Sequence, residues 1–222
     1  MNVLLFGATG MVGQAALREC LLDPGVDQVL TVGRHATGQR HEKLREVMVP
    51  DVFDLSAVES ELGGFDACLF CLGVSSAGMT EERYARLTYD LTLSVARTLV
   101  RLNPALTFIY VSGTATDSSE RGRVMWARVK GRTENALLRL PFRAAYTFRP
   151  GIIIPLHGIR SRTPWTRIAY SVTRPLHGLM RRLLPNQVTT TERIGRAMIA
   201  VARDGYERPV LEMADIERAG GG

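Results

Sequence analysis

The tightest constraint on this chain is the spacing Gly7-Ala8-Thr9-Gly10-Met11-Val12-Gly13, set between the apolar run Asn2–Phe6 and a helical stretch, Met11–Leu22. Three glycines at that interval solve a steric problem. Gly7 admits a tight turn off a strand, and Gly10 lets the backbone approach a bound group closely. Gly13 lets the helix pack against the strand it has just left. The start of the helix then offers unpaired N–H groups and a partial positive charge, which suits phosphates. A glycine triplet alone is weak evidence. One that opens the first helix of an alternating α/β chain points to a dinucleotide.

The alternation runs through most of the sequence. Short apolar runs at 2–6, 28–32, 45–49, 66–72, 106–111 and 144–148 read as six strands. Helical patterns separate them: 11–22, stopped by Asp23-Pro24-Gly25; 54–62, with Asp54 or Ser56 as cap; 80–102, opened by Thr80 and stopped by Asn103-Pro104; and 123–140, ending before Pro141. Further on, 164–184 reads as a helix interrupted by Pro175. A helix at 191–203 follows, with cap hydroxyls from Thr189 to Thr191, then a late strand at 209–213 and a frayed Ala219-Gly220-Gly221-Gly222. The expected fold is α/β, a Rossmann-type doubly wound parallel sheet. It forms one domain over 1–222, with 155–205 contributing a small C-terminal helical lobe for a substrate or partner.

The end of the second strand reads Thr31-Val32-Gly33-Arg34-His35 and carries no Asp or Glu. An acid there would bond a ribose 2′-hydroxyl, whereas the planar fork of Arg34, assisted by Arg40, fits a 2′-phosphate. The expected cofactor is therefore NADP(H) rather than NAD(H).

From these residues onward the sequence resembles the atypical short-chain dehydrogenase/reductases, most closely the human Tat-interacting protein group and bacterial NAD-dependent epimerase/dehydratase relatives. The resemblance rests on the glycine loop, Val32-Gly33-Arg34, Cys71-Leu72-Gly73, Val111-Ser112-Gly113, Val129-Lys130-Gly131 with Glu134, and Phe148-Arg149-Pro150-Gly151. It implies cofactor contacts from Gly7, Thr9, Gly10, Met11, Val12 and Gly13. It implies adenine contacts from Asp51 and Val52, and a loop under the adenine ribose at Cys71, Leu72 and Gly73. Ser112 and Thr114 fall in the stretch supplying the active-site hydroxyl, Thr114 being the better spaced. Lys130 matches the lysine that bonds the nicotinamide ribose, and Pro150, Gly151 and Ile152 match the backbone lining the nicotinamide.

One position departs from the family. Four residues before Lys130, where the catalytic tyrosine belongs, stands Trp126. An indole N–H donates a hydrogen bond but exchanges no proton near neutral pH. Loss of a positioned acid costs on the order of 10²–10⁴ in rate. Two functions follow from this. The first is an oxidoreductase or isomerase of a small molecule, with Thr114, Lys130 and Ser112 nearest the chemistry. The second is a non-catalytic, cofactor-sensing interaction protein.

The net charge of +6 fits an anionic ligand, a nucleic acid or an acidic membrane surface, and selects none of them. No nucleic-acid module is visible, so no nucleic-acid partner is expected. Between residues 156 and 203 arginines stand against the single acid Glu192. With Trp165, Tyr170, Leu176, Leu179 and Met180 they suggest weak membrane-surface or protein contact, an anionic-substrate lobe, or a solvated basic face. His157 and His177 have no metal-ligand spacing, and no metal is expected. Cys68 and Cys71 form a CxxC inside a strand, where residues three apart diverge, so both read as buried and structural. Without a recognisable leader or a long apolar run, the chain is expected in the cytoplasm as a monomer or homodimer.

Overall fold

The computed structural model describes residues 1–159 and 187–221. In chain order the first half runs β1 (Asn2–Phe6), α1 (Met11–Leu22), β2 (Gln28–Gly33), β3 (Leu44–Met48), β4 (Ala67–Phe70), α2 (Glu81–Ala85), α3 (Leu91–Leu102) and β5 (Thr107–Val111). The second half adds α4 (Met125–Leu137), β6 (Ala144–Phe148), β7 (Ile152–Ile154), β8 (Val188–Thr190), α5 (Thr191–Asp204), β9 (Val210–Leu211) and α6 (Met213–Ala219). Seven strands form one parallel sheet in the order β3-β2-β1-β4-β5-β6-β9. The order reverses between β1 and β4, and a crevice opens beyond the carboxyl ends of the strands at such a point. This is the doubly wound Rossmann-type sheet that the alternation predicts.

Strand alternation sorts side chains onto two faces. Val3 and Leu5 pack with Ala15, Leu17, Ile194 and Met198, while Leu4 and Phe6 pack with Phe70, Phe108, Leu93 and Leu99. On the second face Phe6, Phe70, Phe108 and Phe142 form a ladder across the strands, with centroids 5.7, 5.8 and 5.0 Å apart. Cys68 falls in one cluster and Cys71 against the other, so the two thiols of the CxxC diverge as expected. Burial raises all three thiol pKa values, that of Cys20 to about 12.

Several boundaries move. The fourth strand stops at Phe70, because the chain at Cys71 and Leu72 must pass beneath Gly7. The 54–62 helix is a 3-10 segment, Ser56–Glu61, with Asp54 Oδ1 accepting from Ser56 N at 3.0 Å. The 80–102 helix is continuous but widens into a π-turn over Arg86–Asp90; the hydroxyl of Thr80 caps its start. Only Val210 and Leu211 of the late strand pair, and Met213 onward forms α6, an element not predicted. The pair β7–β8 was also not foreseen, since three-residue strands carry too short a pattern. Of the end expected to fray, Gly220 is buried, and a Cβ there would lie 2.2 Å from Arg193 O, whereas Gly221 is exposed and Gly222 lies outside the described residues.

The expected lobe at 155–205 falls largely outside the described residues. Its second helix, α5, packs on α1 as part of the Rossmann layer, through Ile194, Ala197 and Met198. The predicted 164–184 helix and the aromatic residues in it lie outside the described residues. Of the arginines in the basic stretch, Arg193, Arg196 and Arg203 are paired to Glu217, Glu19 with Glu192, and Asp23. Those three therefore face acids rather than presenting a free basic surface.

Two glycines fix how loops cross helices. A Cβ on Gly13 would lie 2.0 Å from Gly7 O, and one on Gly131 would lie 1.8 Å from Asp117 O. Each substitution needs backbone to move. Gly131→Ala should cost roughly 1–3 kcal/mol of stability or more, as overpacking does, read as a lower midpoint in denaturant unfolding with an unchanged slope.

Candidate functional site

The crevice has two ends, each built from different elements. At the first end β1 runs into Gly7, whose φ is +82°, a conformation that glycine adopts without strain. A Cβ on Gly7 would meet the backbone of Cys71 at 2.7 Å, so the turn lies directly on the strand-end of β4. Gly10 is different. Its φ is −78°, and an added Cβ would find no neighbour closer than Gly7 O at 3.4 Å. Nothing inside the protein demands glycine there; a Cβ would instead stand toward the open cradle over α1. The first amides of α1 have no preceding carbonyl to bond, and its first turn holds no acid. Net positive potential and free donors therefore face the cradle, as a diphosphate requires.

Gly7, Thr9, Arg34, Val52 and Leu72 line one cleft, joined by Thr31, Val32 and His35. Met11 and Val12 are half-buried at the helix start. Asp51 is exposed and does not line this cleft: its Oδ1 accepts from Phe53 N at 2.9 Å and shapes the turn that delivers Val52. Gly73 lies beyond the cleft in open space. An acid does stand near the end of β2, but on the neighbouring strand. Glu46 accepts from Thr37 N at 2.8 Å and from the Thr31 hydroxyl at 3.2 Å. It is occupied in holding the loop that carries Arg34, which is exposed.

At the second end the loop after β5 is tied to β6 and its extension. Ser112 N donates to Phe148 O at 2.8 Å and Thr114 N to Pro150 O at 3.0 Å. Ala115 is held at φ +63°, which sets Thr114 outward and Thr116 inward. Thr116 gives its proton to Gly113 O at 2.7 Å, so at the 3.0 Å contact with Ser112 the serine is the donor. Ser112 is buried and its hydroxyl is engaged within the loop. Thr114 is exposed and lines a second cleft with Gly151, Ile152, Gln187, Glu212 and Met213.

Gln187 and Glu212 were not foreseen. Glu212 begins α6 in a reciprocal capping box with Asp215, and that Glu-x-x-Asp spacing was the available signal. Its Oε1 accepts from Arg149 Nη1 at 2.9 Å. Arg149 also reaches Ser118 Oγ at 2.5 Å and, through Nε and Nη2, both oxygens of buried Glu134. One guanidinium thus joins α4, β6, the loop after β5 and α6.

Lys130 and Trp126 lie on α4, both half-buried, one helical turn apart. Lys130 Nζ stands 5.6 Å from the centroid of the Tyr110 ring. Burial pulls its pKa down to about 8, against a smaller upward pull from Glu134. No grouping of three metal-ligating side chains occurs among the described residues, and none of the described helices is long and apolar enough to cross a membrane. His157, whose ring bonds Glu192 at 2.8 Å, sits on the edge of an ion-pair cluster. His177 lies outside the described residues.

The fold, the glycine cradle and the switch-point crevice together define a class of nucleotide-binding α/β protein. Residues 3–122 match the NAD dependent epimerase/dehydratase family. The chain belongs to that family. Among solved structures it is similar to the Bordetella bronchiseptica enzyme WbmF in complex with NAD+, at a TM-score of 0.67 and 19% identity, covering 99% of this chain and 78% of that one. A UDP-glucose 4-epimerase aligns at a TM-score of 0.69 and 16% identity over 100% and 83% of the two chains. At such identities these likenesses speak for the fold. Protein fmp52-2, mitochondrial, of Aspergillus terreus is 26% identical over 97% of this chain and 95% of its own length. Protein fmp52, mitochondrial, of Emericella nidulans is 28% identical over 68% and 66%. The cytoplasmic expectation is overturned by these relatives, which are named as mitochondrial proteins.

Removing Arg149 would strand the carboxylate of Glu134, which is 1% exposed. Arg149→Met should cost about 3–5 kcal/mol, measured by denaturant unfolding, and the double change with Glu134→Leu should recover most of the loss. A single variant as stable as the wild type would show that the hub does not hold the site together.

Proposed function

We propose that this protein binds NADP(H) across the crevice and uses it on a small carbonyl or hydroxyl substrate held against Thr114, Gly151 and Ile152. The supporting observation is the first cleft, where Gly7, Thr9, Arg34, Val52 and Leu72 meet beside a glycine whose missing side chain only an outside group would need. Arg34, exposed at the end of β2, is the cation for a 2′-phosphate, since Glu46 is engaged by Thr31 and Thr37. Lys130 offers donors and charge to the nicotinamide ribose. When bound, the nicotinamide would give or accept a hydride. Thr114 supplies a hydroxyl to orient the substrate oxygen. Trp126 donates a hydrogen bond at most, so the proton comes from Thr114, water or the substrate itself.

Trp126 also favours a second reading, in which the cofactor is bound but not turned over and its binding state governs partner contacts. Oxidation of NADPH over a panel of aldehydes and ketones separates the two. Trp126→Tyr should raise turnover on the order of 10²- to 10⁴-fold. If wild type and variant both bind NADPH by calorimetry and neither oxidises it, the sensing role replaces the enzymatic one.

The cofactor choice has its own test. Arg34→Ala should weaken NADPH binding about tenfold, the equivalent of roughly 1.4 kcal/mol, and leave NADH binding nearly unchanged. Equal weakening of the two would remove the 2′-phosphate from Arg34.

A further inference from the structure

The chain contains only two lysines, Lys43 and Lys130, and they are held in opposite ways. Lys43 Nζ donates to Asp23 O at 2.8 Å. Lys130 has no hydrogen-bond or ion-pair partner among the described residues; its Nζ faces the ring of Tyr110, 5.6 Å from the centroid. The reason lies four residues further along α4. A glutamate at i+4 from a lysine is the usual helix-surface partner, and Glu134 stands there. Yet both of its oxygens are taken by Arg149, whose rigid fork makes three hydrogen bonds to them. The Arg149 hub thereby deprives Lys130 of its counter-ion. Half-burial then penalises the ammonium, and the charge of Glu134 offsets only part of that penalty, which favours the neutral amine.

We propose that Lys130 is a carbonyl-reactive amine, a site of reversible imine formation with small aldehydes on α4, beside the ring of Tyr110. The Nζ lone pair attacks the aldehyde carbon to give a carbinolamine. Loss of water leaves an Nζ=C double bond, with no oxidation or reduction, and hydrolysis restores the lysine. A desolvated lysine amine is the usual nucleophile for this chemistry. The placement of the ribose at Lys130 rests on the function proposed above; the reactivity of the amine does not. Where both hold, aldehyde and dinucleotide exclude one another, and aldehyde load would set how much protein carries cofactor.

The test is to treat the whole protein with propanal and cyanoborohydride, which reduces the imine to a stable secondary amine, and to map the label by peptide mass spectrometry. Lys130 is expected to label at least about tenfold faster than Lys43 near neutral pH. Its rate should climb through about pH 8, whereas an ordinary lysine, with a pKa of about 10.4, climbs later. Saturating NADPH should suppress the Lys130 label. Equal labelling of the two lysines, or no label at Lys130, overturns the proposal. Fast labelling of Lys130 that NADPH does not suppress upholds the imine site and overturns Lys130 as the ribose ligand. Loss of NADPH binding altogether, with Lys130 still labelled, overturns the cofactor reading alone.

Discussion

A carboxylate as deeply buried as that of Glu134 has to be met by a cation, because desolvation of an unpaired charge costs several kcal/mol. Arg149 meets it, and the geometry of the second end of the crevice follows from that pairing. The guanidinium sits at the end of β6, between α4 on one side and the start of α6 on the other. Its third direction reaches Ser118, in the loop that began at Ser112. Four segments distant in sequence are therefore registered by one planar group. A lysine at 149 would offer one point of charge and could not hold all of them at once.

The two ends of the crevice rely on different physics. The first end is steric: backbone lies on backbone where Gly7 meets Cys71 and where Gly13 meets Gly7, and a side chain on either glycine would require backbone to move. The other end is electrostatic, built from a buried ion pair, a capping box at Glu212 and a hydroxyl relay from Ser112 to Gly113 O. Steric cradles tolerate almost no substitution at their glycines but are indifferent to what lies outside them. Charged scaffolds allow more variation of their exposed members.

That division explains what was legible in the sequence. The parallel sheet, its first six strands and the glycine cradle are written in local pattern, since strand runs and glycine spacing are short-range signals. Gly7, Thr9, Arg34, Val52 and Leu72 meet in the cleft as the motifs imply. Gln187 and Glu212 were missed because they reach the second cleft through β8 and α6, elements of three and seven residues that carry little periodicity, with only the Glu-x-x-Asp spacing to mark Glu212. Spacing alone did not separate Ser112 from Thr114: Ser112 is buried and bonds Thr116 within the loop, while Thr114 lines the cleft. The Glu46 contact was missed because it is made across strands, from β3 to the end of β2.

Trp126 is best understood against this scaffold. In the family pattern a lysine one turn away lowers the pKa of a tyrosine hydroxyl so that it exchanges protons near pH 7. Here the lysine remains, still without a carboxylate partner, while the group it would have served is an indole. Nothing in the Arg149 hub depends on the residue at 126, so the loss of the phenol leaves the architecture intact. A cation whose usual work is to depress a neighbour's pKa instead has its own pKa depressed by burial to about 8. On the reading proposed above, that amine is the titratable group left on this face of the site, and nucleophilic capture of carbonyls is the chemistry it would support.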